Sequence, residues 1–277
     1  MQKMAIDATR YDPPAIAVAG ICYDRQSSFM PGAAGAPDRI REAFCAASTN
    51  QCCENGLDLA AVDCLLDVGN QRPENGADWI AEIEAFTDGL LSKGVKTVFL
   101  GGDHAISYPL VRAHAKKYTE LTVLHLDAHA DLYDTFDGNR FSNASPFARI
   151  MEENLVRKLI QTGIRTLNPH QREQAARWNV DICEMKDRAT FKLPDAGAPV
   201  YISLDMDVLD PAFAPGVSHP EPGGFSTREL LDILQAIEAP IVGADIVEYN
   251  PLRDPTGITA LVAAKFLKEI VAKMMES

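Results

Sequence analysis

Residues 122–131 read TVLHLDAHAD, a short apolar run that breaks into Asp127, His129 and Asp131 at alternate positions, and no other stretch constrains the fold as tightly. In extended backbone successive side chains point to opposite faces, so the i, i+2, i+4 spacing puts two carboxylates and one imidazole on the same side. A strand leaving a buried sheet would aim them at one point, which is half of a metal site. Residues 200–204, VYISL, repeat the design and break into Asp205-Met206-Asp207. A lone acidic pair is ordinarily a solvated loop end or a cap. Two such pairs, each directly after an apolar strand, need a common explanation.

The rest of the chain supplies the sheet. Apolar runs at 15–22, 65–68, 97–100, 159–164, 181–185 and 241–247 read as strands. Helical periodicity is expected from Pro37 (Ile40, Ala43, Phe44, Ala47), over 78–93 (Ile80, Ile83, Phe86, Leu90), 107–118, from Pro146, between 164 and 181, from the Ser226/Glu229 capping box to about 239, and over 259–275. Residues 48–64 read as loop. Strands alternating with helices predict one α/β domain spanning 1–277, a mostly parallel sheet covered on both faces, after a polar lead-in at 1–14. In such sheets ligands sit beyond the carboxyl ends of the strands. That rim would carry His104, Asp127, His129, Asp131, Asp205, Asp207 and Glu248. The glycines of Gly101-Gly102-Asp103-His104 let backbone approach something closely, and without a phosphate-loop or dinucleotide pattern that something is not a nucleotide.

Composition bounds the partners. Lys and Arg total 26 against 39 Asp and Glu, a net charge of -13, which disfavours nucleic acid and anionic membranes and suits a small cation. No apolar run approaches a membrane span and no secretory leader is evident. The six cysteines lack metal or redox spacing and read as free thiols in a reducing, cytoplasmic setting. Four carboxylates and two imidazoles exceed what one catalytic zinc takes; they suit two divalent ions, manganese first, with cobalt, nickel or iron as alternatives. Two ions roughly 3.5–4 Å apart can share a hydroxide, which implies hydrolysis at an electrophilic carbon or phosphorus.

These motifs carry a resemblance. GGDH at 101–104, DAHAD at 127–131, SLDMDVLDP at 203–211 and EYNP at 248–251 resemble the four signatures of the ureohydrolases, the arginase and agmatinase family. SPFARIMEE at 145–153, DPAFAPGVSH at 210–219 and GADIVEYNP at 243–251 are similar to plant-type arginases in particular. The resemblance implies a three-layer α/β/α fold with an eight-stranded sheet, homotrimers or homohexamers, and cleavage of agmatine or arginine to urea and an amine. It implies that His104, Asp127, Asp131 and Asp205 hold one manganese and Asp127, His129, Asp205 and Asp207 the other. Asp127 and Asp205 would bridge, Asp131 would also steady the hydroxide, and Glu248 would pair with the guanidinium.

One position departs from the family. In the loop 139–147, NRFSNASPF, relatives carry a proton-handling histidine where this chain has Asn143, and asparagine exchanges no proton near neutral pH. A slowed enzyme, a ligand-trapping substitution, or compensation by His219 would each account for it. Asn139, Asn143 and Thr166 are expected at the substrate, Thr166 standing where animal arginases place an acid, and Tyr133 and Asp134 at its entrance. The competing readings are a single-zinc deacetylase of related fold, which the six-ligand set opposes, and a catalytically weak relative that binds guanidino ligands or an active partner subunit.

Overall fold

The computed structural model describes residues 15–74, 78–195 and 197–276, so the expected lead-in at 1–14 lies outside the described residues. Eight strands form one sheet: β1 (Ile16–Ile21), β2 (Leu65–Gln71), β3 (Lys96–Leu100), β4 (Thr122–Leu126), β5 (Lys158–Ile164), β6 (Asp181–Glu184), β7 (Val200–Asp205) and β8 (Ile241–Val247). Their order is β2-β1-β3-β8-β7-β4-β5-β6 and every neighbouring pair is parallel. The helices are α1 (Ala36–Phe44), α2 (Trp79–Leu91), α3 (Ser107–Lys117), α4 (Pro146–Glu152), α5 (Pro169–Arg177), α6 (Thr227–Gln235) and α7 (Ile258–Glu276).

Strand alternation sorts the core into two layers. Leu124, Leu126, Ile202 and Leu204 face α1, α6 and α7, packing with Ile40, Leu230 and Phe266. Val123 and Tyr201, one residue out of phase, face the opposite layer with Ile83 of α2, Leu110 of α3 and Phe147 of α4. Because both faces are covered, β1, β4, β7 and β8 are buried along their whole length.

The topology also places the crevice. From β4 the chain moves outward to β5 and β6, and from β7 it moves the other way to β8, so connections diverge between β4 and β7. Such a switch point opens a cleft at the carboxyl ends. The strands flanking it carry the two acidic clusters, and with β3 and β8 they are the four central strands.

Some boundaries differ from the sequence expectation. α1 stops at Phe44 and leaves Ala47 exposed. α6 ends at Gln235, short of 239; Pro240 keeps Ala239 out of helical backbone, and its carbonyl accepts a hydrogen bond from Val200 (2.9 Å), starting the β7–β8 pairing. β2 runs on to Gln71, past the expected 68, opposite an irregularity in its pairing with β1.

The twin glycines are a packing requirement. A Cβ on Gly101 would stand 2.6 Å from side-chain atoms of Ile106 and Val247, and one on Gly102 would collide with the Tyr23 carbonyl. Gly102→Ala is therefore expected to destabilise the chain by about 1–3 kcal/mol or more, the usual range for overpacking. A urea midpoint equal to that of the unaltered chain would contradict this.

Candidate active site

His104 sits in the turn after β3, where Asp103 caps the turn by accepting from the Ala105 amide at 3.1 Å. Its Nδ1 lies 3.1 Å from Asp127 Oδ2, 3.2 Å from Asp131 Oδ2 and 3.1 Å from Asp205 Oδ2. The other ring nitrogen, Nε2, is 3.0 Å from Ser203 Oγ, which donates to Asp245 Oδ1 at 2.8 Å. With its proton committed to the carboxylate, Ser203 accepts from an Nε2–H, which leaves Nδ1 as a lone pair turned toward three acids. That Nδ1 is buried with no hydrogen-bond partner.

A second focus adjoins the first. His129 Nδ1 is 3.0 Å from Asp207 Oδ2 and 3.4 Å from Asp127 Oδ1. Backbone amides aim the acids: His129 N donates to Asp127 Oδ1 (2.6 Å), Asp207 N to Asp205 Oδ1 (2.7 Å) and Ala128 N to Asp207 Oδ1 (3.1 Å). Asp127 thus turns one oxygen to each focus. His104, Asp127, Asp131, Asp205 and Asp207 are all buried, whereas His129 keeps about a quarter of its side chain exposed.

The residues fit divalent ions. An octahedron's edge is √2 times its bond length, so ligand atoms 3.1 Å apart suit bonds of about 2.2 Å, between those typical of magnesium and calcium. Charge points the same way. Burial, then Asp207 and Asp127, drive the Asp205 carboxyl well above its usual range, and burial with Asp127 pushes Asp131 up to about 6. Carboxylates crowded in a dry space stay ionised only when cations share it.

Local backbone differs from the extended spacing read from the sequence. β4 ends at Leu126, and Asp131 reaches the cluster from a left-handed turn at φ 49°. Glu248, just past β8, is also left-handed at φ 61°. Strain of order 1–3 kcal/mol per residue is typical of such positions in functional sites. Glu248 Oε1 accepts from the His104 amide (2.8 Å) and from Asn143 Nδ2 (3.1 Å), while its Oε2 is buried without a partner.

A cavity of about 190 Å³ opens over this cluster. Asp131, Asp205, Asp207, Glu248, His129 and Asn143 line it, together with His219, Thr166, Tyr133, Phe136 and Gln171. Asn143 is held by the Ser28 amide, which donates to its Oδ1 at 2.9 Å. His219 Nε2 is 3.2 Å from Ser28 Oγ, and its ring stands 6.0 Å from that of His129. Asn139 lies outside the lining, donating to Gln26 Oε1 at 2.7 Å. Asp134 also lies outside it, paired with Arg140 and Arg149.

The Arginase family model matches residues 14–272. The chain belongs to the arginase family. Arginase 1, mitochondrial, of Arabidopsis thaliana is 47% identical over 273 residues, covering 92% of this chain and 80% of that protein. An agmatinase of Halalkalibacterium halodurans is 32% identical, covering 95% of this chain and 93% of its own. Among solved structures, an arginase from Medicago truncatula superimposes with a TM-score of 0.87 at 41% identity, covering 94% of this chain and 87% of that one. This arginase-family chain is accordingly a hydrolase of the class acting on C–N bonds of linear amidines.

Sequence reading passed over a polar row beneath the acids of this family member. Asp245 of β8 pairs with Ser203 of β7, Ser203 with His125 of β4, and His125 with Gln161 of β5. Each is a polar residue inside an apolar strand. His125 and Ser203 stand two positions before an acid, the spacing that keeps them on the same face, and this was the available signal.

Ion removal gives a direct check. Dialysis against a chelator is expected to lower the thermal midpoint, and a divalent ion at roughly 100 times its Kd to restore about 2.7 kcal/mol. Identical melting of chelated and ion-loaded protein would show that nothing binds this cluster.

Proposed function

We propose that this chain is a binuclear-metal amidinohydrolase that cleaves a linear guanidino compound, agmatine or arginine, to urea and an amine. The observation that carries the reading is Glu248 Oε2, a buried acceptor without a partner in the cavity wall beside the acid cluster. A planar guanidinium offers the N–H donors that such an oxygen lacks.

In this reading His104, Asp127, Asp131 and Asp205 hold one ion and Asp127, His129, Asp205 and Asp207 the other. The mixed carboxylate and imidazole set suits manganese, with cobalt, nickel and iron sharing its ligand preferences. When bound, the pair of ions supplies Lewis acidity and a water acidified to near neutral pH. Glu248 orients the guanidinium carbon. Asn143 steadies Glu248 through its hydrogen bond to Oε1 and moves no proton. His219 is the imidazole of the cavity wall left free of ligand duty, and we assign it delivery of a proton to the departing amine.

Substrate choice rests on two observations that pull apart. Among the described residues the cavity lining contains no Lys or Arg to meet a carboxylate, which favours agmatine. The plant relative named an arginase is the more similar of the two curated proteins, which favours arginine, with Thr166 and Gln171 as neutral donors. The trimers or hexamers implied by the motifs are checked by light scattering. Six unpaired cysteines fit a reducing compartment such as the cytoplasm, whereas the Arabidopsis relative bears a mitochondrial name, and fractionation separates these.

Urea release by the purified, manganese-loaded chain from agmatine or arginine is the expected result. No urea from either compound, with two ions bound, would sink the hydrolase reading and leave the weak relative that only binds guanidino ligands. General acid catalysis is typically worth about 100- to 10,000-fold. His219→Ala should therefore lower kcat at least tenfold with little change in KM, and Asn143→His in the His219→Ala background should restore much of that loss by supplying a second imidazole. Unaltered kcat in His219→Ala removes that residue from proton transfer.

A further inference from the structure

His125 has no part in the reaction as described, yet it lies against the most buried acid of the site. It is fully buried in β4, stacked on Phe147 with ring centroids 3.8 Å apart and edge-on to His104 at 4.9 Å. By proximity it would pass for a ligand, since donor atoms of His104, His125 and Asp127 lie within 4.8 Å of one another. The hydrogen bonds around it exclude that role.

Gln161 settles the point. Its Nε2 is 2.7 Å from the Ala130 carbonyl oxygen and 2.8 Å from His125 Nδ1. The atom facing a carbonyl must be the amide nitrogen, because an oxygen there would oppose another oxygen. That NH2 places one hydrogen on Ala130 and the other on His125 Nδ1, which is therefore a lone pair already in use. The ring proton resides on Nε2, and Nε2 lies 2.8 Å from Asp127 Oδ2. Neither nitrogen has a lone pair left for a cation.

We propose that His125, its tautomer set by Gln161, is a positioning residue that makes Asp127 a bridge between two ions. A carboxylate has about four acceptor directions. The His129 amide takes one on Oδ1 and His125 takes one on Oδ2. One direction remains on each oxygen, Oδ2 facing the His104 focus and Oδ1 the His129 focus. Pinned at both ends, the carboxylate can neither rotate nor chelate a single ion with both oxygens. Outer partners of this kind are commonly worth about 10- to 100-fold in metal affinity.

The inference rests on the two-ion reading, and manganese binding by the full chain, followed by calorimetry and electron paramagnetic resonance, separates the two. Wild-type protein taking up fewer than two ions would overturn the two-ion reading itself. Given two ions, His125→Gln, whose amide nitrogen reaches the position of Nε2, should bind manganese within about threefold of wild type. His125→Asn, whose amide reaches only the Nδ1 side, should bind about 10- to 100-fold more weakly. Equal affinity in both variants, strong or weak, would overturn the positioning role. Loss of an imidazole nitrogen coupling to manganese in His125→Gln would do the same by making His125 a ligand. Should His125→Asn fail to fold, long-range proton–nitrogen NMR of the wild-type chain decides, with Nε2–H expected and Nδ1–H overturning the assignment.

Discussion

Mutual repulsion among the buried acids is the constraint on which the rest of this structure depends. Asp127, Asp131, Asp205 and Asp207 crowd around two imidazoles in a space closed to water on the sheet side. Burial and the neighbouring acids make Asp205 and Asp131 hold their protons more tightly than ordinary carboxyls. The fold meets the demand by fixing donors before any ion arrives. Asp127, Asp205 and Asp207 each accept a backbone amide, so strand-end geometry, and not side-chain freedom, sets where their oxygens point.

Beneath that cluster the sheet provides a second level of control. Asp245, Ser203, His125 and Gln161 run across four adjacent strands in register, each sharing a hydrogen bond with a neighbour in the row or with a residue of the acid cluster above it. Buried polar groups are costly unless fully satisfied, and most of this row is satisfied internally. Its effect is directional. Ser203 and Asp245 turn the lone pair of His104 toward the acids, while Gln161 turns the proton of His125 toward Asp127. Parallel pairing makes this possible, because a shared register puts equivalent positions of β5, β4, β7 and β8 side by side.

On the open side, the loop after β1 organises the cavity. Gln26 donates its amide to Asp103 (2.8 Å), accepts from the Asn143 amide (3.0 Å) and receives the side chain of Asn139, while Ser28 N holds Asn143. Asn143 is thereby locked beside Glu248 with its hydrogen-bonding capacity directed at protein groups. Asn139 belongs to the same lock, which is why it stands behind the cavity wall and not in it.

Much of this was legible in the chain itself. The apolar runs that end in DAHAD and DMD, the Gly-Gly turn before His104 and the Ser226/Glu229 cap are local patterns, decided by alternation, steric room and hydrogen bonding over a few residues. They determine the α/β class, the rim on which the acids lie and the demand for cations. Tertiary structure decided what local pattern cannot encode. A left-handed turn, and not extended spacing, carries the Asp131 carboxylate to within 3.2 Å of His104 Nδ1. The empty Glu248 Oε2 exists because His104 and Asn143, far apart in sequence, occupy only its other oxygen. The tautomers of His104 and His125 depend on which residue the neighbouring strand sets opposite them, and register across a sheet is a property of the assembled fold.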